Sequence, residues 1–418
     1  MVRQGVTDML FATPELGETE LRVIGEVDGL KEKLRLYLHE PHRWFGSMRR
    51  VSMARAVQGS NSIEGYEAAL DDAAAIDLGE APLDADQETT LALKGYRDAM
   101  TYVLTLANEA SFDYSEQLLK SLHFMMTGYD LKNRPGQWRL GSIYVRNEAT
   151  GEIVYEGADI DEVPGLMSDL VTRLNTEPNV PTMVRAGMAH LNLVMIHPFR
   201  DGNGRMARCL QTLVLARDGV LSPVFCSIEE YLGRNTQGYY DILALVGGGH
   251  WQPQGDGRPW VRYILTAHLR QSRTMLRRVK ESERLWGELE LLVNTHGLPD
   301  RVTGALFDAS MAFRVRNATY RAIADDEITE ATASRDLKQL VEAGLLEANG
   351  EKRGRFYTAT PMLRAVRRRI VEARDPRDDS DPFANSPLAA ESIAQSQLAE
   401  QSPTAPQPRV SEPALFPL

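Results

Sequence analysis

Apolar residues recur at helical spacing through most of this chain. From Leu21 to Leu38 they mix with charged residues in an amphipathic pattern that breaks at Pro41, and a second helical stretch covers 49–69 with an interruption at Gly59. An acidic, proline-containing loop at 77–86 precedes predicted helices over 87–109 and 114–127. The period then changes. Ser142 to Arg146 and Glu152 to Tyr155 read as two short strands around the Asn147–Gly151 turn, a hairpin in a helical protein. Helices resume at 163–175 and 184–196, and the second is apolar on nearly every face, which places it in the middle of a bundle. Pro198 ends it, and Gly204 to Arg217 forms the next helix, with Asp218 and Gly219 as its stop.

Beyond Trp260 an arginine-rich helical stretch continues to about Asn294. Residues 303–313, 318–324 and 329–343 then predict three helices, and Leu345–Glu347 and Arg355–Thr358 predict strands joined through Asn349 and Gly350. Helix, turn, helix and hairpin in that order resemble a winged helix-turn-helix domain. After Arg374 the sequence turns to Asp, Ser, Pro, Ala and Gln, with too few large apolar groups to fold. The expected organisation is an N-terminal helical region over 1–110, a catalytic core over 111–270, a helical linker over 271–299, a winged helix-turn-helix over 300–362 and a disordered tail over 375–418. The fold class is mainly α: a helical bundle with a β-hairpin flap, followed by the small winged domain.

Composition narrows this picture only a little. The chain has 418 residues, 43% hydrophobic and 25% charged, with a formal net charge of −11, which argues against a surface given over to nucleic acid or membrane. Two cysteines, Cys209 and Cys226, are too few for a disulfide framework or a four-thiolate zinc site and are expected to be reduced. The first residues lack a secretory pattern and no stretch has membrane-spanning length, so a cytoplasmic protein is expected.

The chemistry concentrates at residues 197–208, His-Pro-Phe-Arg-Asp-Gly-Asn-Gly-Arg-Met-Ala-Arg. Gly202, Asn203 and Gly204 can adopt backbone conformations that aim successive N–H groups at one point, and the helix beginning there adds its own unpaired N–H groups and dipole. This is a cradle for phosphate. Arg205 and Arg208, three apart, lean over its mouth and suit a polyphosphate, while Asp201 is a candidate ligand for an accompanying Mg²⁺. His197 is the nearby group able to take a proton at neutral pH. Each piece alone describes an ordinary cap, turn or solvated face, but together at a junction between two buried helices they imply transfer of a phosphorus group to a hydroxyl.

This segment resembles the Fic family signature, His-Pro-Phe-x-Asp/Glu-Gly-Asn-Gly-Arg-x-x-Arg, with every specified position filled. The resemblance extends over roughly residues 15–270. It implies a helical core that transfers AMP from ATP to a Ser, Thr or Tyr hydroxyl of a protein and releases pyrophosphate. It further implies His197 as the base, Asp201 as the Mg²⁺ ligand, Asn203 with the flanking glycine N–H groups around the α-phosphate, and Arg205 and Arg208 on the β- and γ-phosphates. Ser60 to Gly65, Ser-Asn-Ser-Ile-Glu-Gly, resembles the family's inhibitory motif. Ser60 and Glu64 share a helix face, so the Glu64 carboxylate could pair with Arg208 in place of the γ-phosphate.

The hairpin at 140–156 lies where the family carries a flap that aligns the target by strand pairing, with Ile143 toward the nucleotide. Family members often have prolines after the flap, whereas this chain has Glu156, Gly157 and Ala158. Tyr239 and Tyr240 resemble paired aromatics downstream of the signature, and Tyr240 is a candidate to stack on adenine. In the winged region Arg335, Lys338 and Gln339 could face a DNA groove and Lys352, Arg353 and Arg355 its phosphates, although Glu330, Asp336 and Glu342 share the helix and leave a protein partner open. The leading expectation is an autoinhibited protein adenylyltransferase acting on a protein target and on itself, with a homodimer among the candidate assemblies. The rivals are AMP removal or another phosphoryl transfer at the same site, and a nucleotide-sensing DNA-binding regulator.

Overall fold

A computed structural model of the chain describes residues 9–39, 42–147, 150–177, 179–217, 227–324 and 327–384. Cys226, the Asp218–Gly219 helix stop, the Arg353 side chain and residues 385–418 of the expected tail lie outside the described residues.

The chain is mainly helical. It begins with α1 (Glu18–His39), α2 (Phe45–Ile63), α3 (Leu70–Asp77), α4 (Gln87–Leu106) and α5 (Glu116–Thr127). Capping explains several of these boundaries: Asp86 accepts the Thr89 N–H at the start of α4, and Ser115 accepts the Leu118 N–H at the start of α5. Strands β1 (Tyr144–Arg146) and β2 (Ile153–Glu156) pair antiparallel with a register shift at Val145/Arg146. Then come α6 (Val163–Thr176), α7 (Thr182–Ile196), α8 (Asn203–Arg217), α9 (Glu229–Arg234) and α10 (Thr236–Gly247). In α7 every residue but Thr182 and Arg185 is buried, as its all-round apolar sequence requires.

The hairpin is not isolated. The Tyr155 hydroxyl donates to the Met195 carbonyl at 2.7 Å, and Glu156 exchanges backbone bonds with Gly249 and Trp251, so both α7 and the 249–251 turn hold its second strand.

Two cores organise the molecule. The first gathers α1 to α10 and the N-terminal half of α11 (Arg258–Thr295), where the Trp260 indole N–H donates to the Gly187 carbonyl at 2.7 Å. The second collects α12 (Thr303–Ser310), α13 (Asn317–Ile323), α14 (Glu330–Glu342), the antiparallel pair β3 (Leu346–Asn349) and β4 (Phe356–Ala359), and α15 (Pro361–Glu372). Residues 271–299, predicted as a linker, do not span a gap: Met275, Val279, Leu285, Trp286, Leu289 and Val293 of α11 belong to this second core. Charged side chains tie the C-terminal elements to the N-terminal helices. Arg314, almost wholly buried, bonds Asp71 at 3.1 Å and Asp72 at 3.0 Å, and Arg50 of α2 bonds Asp308 at 2.8 Å.

Three details depart from the sequence reading. The predicted break at Gly59 does not occur. Helix α2 runs through it, and the glycine is there because the α9 backbone at Glu229 and Glu230 lies where a Cβ would stand. Helix α2 ends at Ile63, and α3 takes up the beginning of the expected acidic loop. The third concerns the tail. Residues 375–384, expected to be disordered, lie against α1 and α11, because Phe383 is buried in the first core and arginines grip the neighbouring backbone. Arg22 donates to the Pro382 carbonyl at 2.8 Å and Arg270 to that of Asp379 at 2.7 Å. Among the described residues no helix is long and apolar enough to cross a membrane.

Candidate active site

The junction of α7 and α8 builds the site. His197 caps α7 in the left-handed region, φ 55° and ψ 58°, an uncommon conformation for a non-glycine residue that turns its ring out of the helix path. Two bonds fix it there: Nδ1 lies 2.9 Å from the Val194 carbonyl, and the His197 carbonyl accepts from Arg139 Nε at 2.8 Å. Because a carbonyl can only accept, Nδ1 carries the proton and Nε2 keeps its lone pair. Nε2 is buried with no hydrogen-bond partner among the described residues, and burial holds the imidazole below its usual pKa, so it is neutral at pH 7. This is the electronic state of a general base.

The turn that follows is braced from within. Asn203 Oδ1 accepts the Phe199 N–H and its Nδ2 donates to the Phe199 carbonyl, both at 2.9 Å. The Asn203 side chain thus braces the turn from which α8 starts, with one Nδ2 hydrogen left beyond this pair. Gly202 has φ 75°, which only glycine adopts without strain, and a Cβ there would press on Thr127.

Asp201 aims its carboxylate at Arg205, Oδ2 to Nη2 at 3.3 Å, with Asn133 Nδ2 at 3.5 Å. Arg205 is buried and also touches the Tyr129 hydroxyl at 3.3 Å and the face of Tyr66 at 5.1 Å. Burial opposes its charge, but Asp201 and the neighbouring oxygens more than offset that, so it stays a cation. No group of three or more His, Cys, Asp or Glu converges among the described residues. A divalent ion here would rest on Asp201 and the phosphates themselves, the arrangement common for Mg²⁺.

Arg208, 1% exposed, reaches α2. Its Nε donates to Ser60 Oγ at 2.8 Å, and Nη2 donates to the Ser60 carbonyl at 2.9 Å and to Glu64 Oε1 at 2.6 Å. The Glu64 carboxylate lies against Gly204, in the space a Cβ at that position would fill. Arg208 Nη1 is buried without a partner. Thus Ser60, Glu64, Gly204 and Arg208 meet as the sequence motifs anticipated.

Ile143 is buried just before β1. A Cβ at Gly157 would collide with Ile143 and press on His197, which gives a reason for glycine where prolines were anticipated. Tyr240 donates its hydroxyl to the Ile63 carbonyl at 2.8 Å, so it tethers the end of α2 beside Glu64. Its neighbour Tyr239 is buried on His190.

Two supports have no sequence signature. Arg139 binds the carbonyls of His197, Gly141 and Ala158, joining motif and flap. His123 of α5 stacks on Phe199 with centroids 3.7 Å apart, donates from Nε2 to the Asp201 carbonyl at 2.9 Å and accepts the Gly136 N–H on Nδ1 at 2.8 Å. Burial pushes its pKa down to about 4. The only hint in sequence is its place on the buried face of α5.

Comparison with known proteins agrees with this geometry. Residues 113–215 match the Fic/DOC family. A protein adenylyltransferase Fic from Culex quinquefasciatus is 33% identical over 177 residues, 41% of this chain and 31% of that one. Protein adenylyltransferase fic-1 of Caenorhabditis elegans is 39% identical over 100 residues, 23% of this chain and 17% of that one. The chain thus spans less than a third of the length of these two relatives. A crystal structure of a Fic family protein from Desulfovibrio desulfuricans G20 superposes with a TM-score of 0.56 at 20% identity, covering 84% of this chain and 98% of that one. The segment His197 to Arg208 lies within the residues similar to the Fic/DOC family, in a helical fold similar to that of the Desulfovibrio protein.

Proposed function

We propose that this protein is a protein adenylyltransferase held in check by its own Glu64. The observation that carries the first half is the free Nε2 of a neutral, fixed His197 beside the α8 amide cradle. In the reaction a Ser, Thr or Tyr hydroxyl oxygen of a target protein attacks the α-phosphorus of ATP. His197 Nε2 takes the hydroxyl proton, the new O–P bond forms, and the α–β anhydride bond breaks to release pyrophosphate. Backbone N–H groups of 202–204 would bear the charge on the α-phosphate, and Arg205 and Arg208 that on the leaving diphosphate. Asp201 would hold Mg²⁺, which supplies further neutralisation of the polyphosphate. The β1–β2 hairpin offers an edge for a target segment in extended form.

The second half rests on the 2.6 Å Glu64–Arg208 bond. While it stands, Arg208 is unavailable to a terminal phosphate. Incubating wild type and Glu64→Gly with labelled ATP, then locating the label by mass spectrometry, tests both halves. Loss of a charge-assisted bond worth about 1.5–3 kcal/mol should raise AMP transfer on the order of 10-fold or more, self-modification included. A variant no faster than wild type removes the inhibitory role, and phosphate in place of AMP on the product removes the transferase reading. The C-terminal helices and β3–β4 hairpin are proposed as a winged module for a DNA or protein partner.

A further inference from the structure

A second concentration of arginines lies outside the 197–208 segment. Between α2, α9, α11 and α15 is a cavity of about 190 Å³ whose lining includes Arg55, Arg277, Arg278, Arg367, Arg374 and Arg377, with Arg234 at its edge. The carboxylates facing these arginines are few. Glu230 binds Arg278 through both oxygens, at 2.5 and 2.6 Å, and lies 3.3 Å from Arg55 and 2.8 Å from Arg234. Glu281 pairs with Arg374 at 2.6 Å and lies 3.7 Å from Arg277. Arg367 makes no ion pair among the described residues, and the Nε atoms of Arg55 and Arg277 are buried without a hydrogen-bond partner among them, Arg277 Nε having only Glu281 at 3.7 Å. Asp375, Asp378 and Asp379 border only the adjoining groove of about 610 Å³.

Seven guanidinium groups against two carboxylates is a surplus that a folded chain does not assemble for stability, since like charges at close range repel. Burial lowers the pKa of Arg55 to about 10, with Arg278 nearby adding to the effect, and it depresses Arg277 and Arg367 in the same direction. A multivalent anion would relieve all of this at once, and planar guanidinium forks match phosphate oxygens.

We propose that this cavity binds a compact, multiply charged phosphate of diphosphate size. The volume corresponds to roughly six water molecules, which admits a diphosphate but not a whole nucleotide. The adjoining groove could take the remainder of a nucleoside diphosphate. Arg55 belongs to α2, so a bound anion joins the helix that carries Ser60 and Glu64 to α11 and α15. The site stands whether or not the transferase reading holds.

The test is thermal melting of the full chain with inorganic pyrophosphate, ADP, or NaCl at matched ionic strength. Pyrophosphate should give a saturable rise of roughly 3 °C at about 100 times its Kd. The rise should survive in Arg208→Gln, whose change lies in the nucleotide cradle, and vanish in Arg277→Gln/Arg367→Gln. Arg367→Gln alone, which removes repulsion and no ion pair, should melt no lower than wild type without ligand yet bind pyrophosphate at least 10-fold more weakly. Tighter binding of ADP than pyrophosphate would support the site and assign a nucleotide source; the reverse order would support it and assign the free anion. A rise matched by NaCl, lost in Arg208→Gln, kept in the double variant, or absent altogether would overturn the proposal.

Discussion

His197 shows how a single side chain is prepared by its surroundings. The left-handed cap aims the ring, Val194 and Arg139 fix its tautomer and peptide plane, and burial keeps it neutral. Replacing it with alanine should lower AMP transfer by roughly 10²- to 10⁴-fold while ATP binding is retained, measured as kcat and Kd separately. An equal loss in both would point to a binding role instead. The pH profile gives a second reading of the same residue. A base must be unprotonated, so a pKa held below 6.5 moves the acidic loss of activity below pH 6.5. An acidic limb centred above 6.5 in the Glu64→Gly variant would contradict a buried imidazole held below its usual pKa. The candidate site residues are legible in sequence because backbone geometry demands their types in one short run. That the Asn203 side chain braces the turn is not, since a turn amide can face inward or outward with the same sequence. Arg139 and His123 were missed because their partners are carbonyls 58 and 78 positions away, and a hydrogen bond to backbone leaves no mark on the partner's identity.

At the scale of elements, the contact between α2 and α9 governs where Glu64 stands. Gly59 and Gly233 let the two helices touch through their backbones: a Cβ on Gly59 would meet the backbone of Glu229 and Glu230, and a Cβ on Gly233 would meet the backbone of Gly59. Gly59→Ala should therefore lower stability by about 1–3 kcal/mol, the usual cost of overpacking. It should also raise basal AMP transfer, because the displaced helix carries Ser60 and Glu64 away from Arg208. Denaturation midpoints and a labelled-ATP assay on the same sample would check both; a stability loss with unchanged activity would show that α2 repositions without moving its end. Sequence periodicity located most helices: α7 and α8 bury nearly every residue over a length too great for a strand, and α5 buries Leu119, Leu122, His123, Met126 and Thr127, spaced three and four apart. It misread Gly59 as a break, because a glycine that ends a helix and one that admits a neighbour look identical in one dimension. Residues 271–299 read as a linker in sequence because their apolar stripe does not say which core it faces, and in the fold that stripe packs into the second.

The whole molecule has a pH signature of its own. His123 and His190 are buried and neutral, with pKa values pushed down to about 4 and about 3, and His197 and His268 are shifted the same way. The unfolded chain takes up these protons near pH 6.5 and the folded chain does not. Their contribution is thus complete above about 6.5 and is lost as pH falls below it, by about 1.4 kcal/mol per pH unit each for His123 and His190 until pH nears their folded values. Urea unfolding at pH 7.5 and 5.5 should show the drop, and a His190→Gln variant should show a shallower one. An unchanged midpoint across that interval would mean the histidines titrate normally. Phe383 sits in the same core as Leu10, with Arg262 over its ring, so among the described residues the first core draws a side chain from beyond the whole of the second. A version trimmed at residue 374 to discard an apparently unstructured tail should therefore leave an apolar socket open to water, read as a lower denaturation midpoint than that of the full chain.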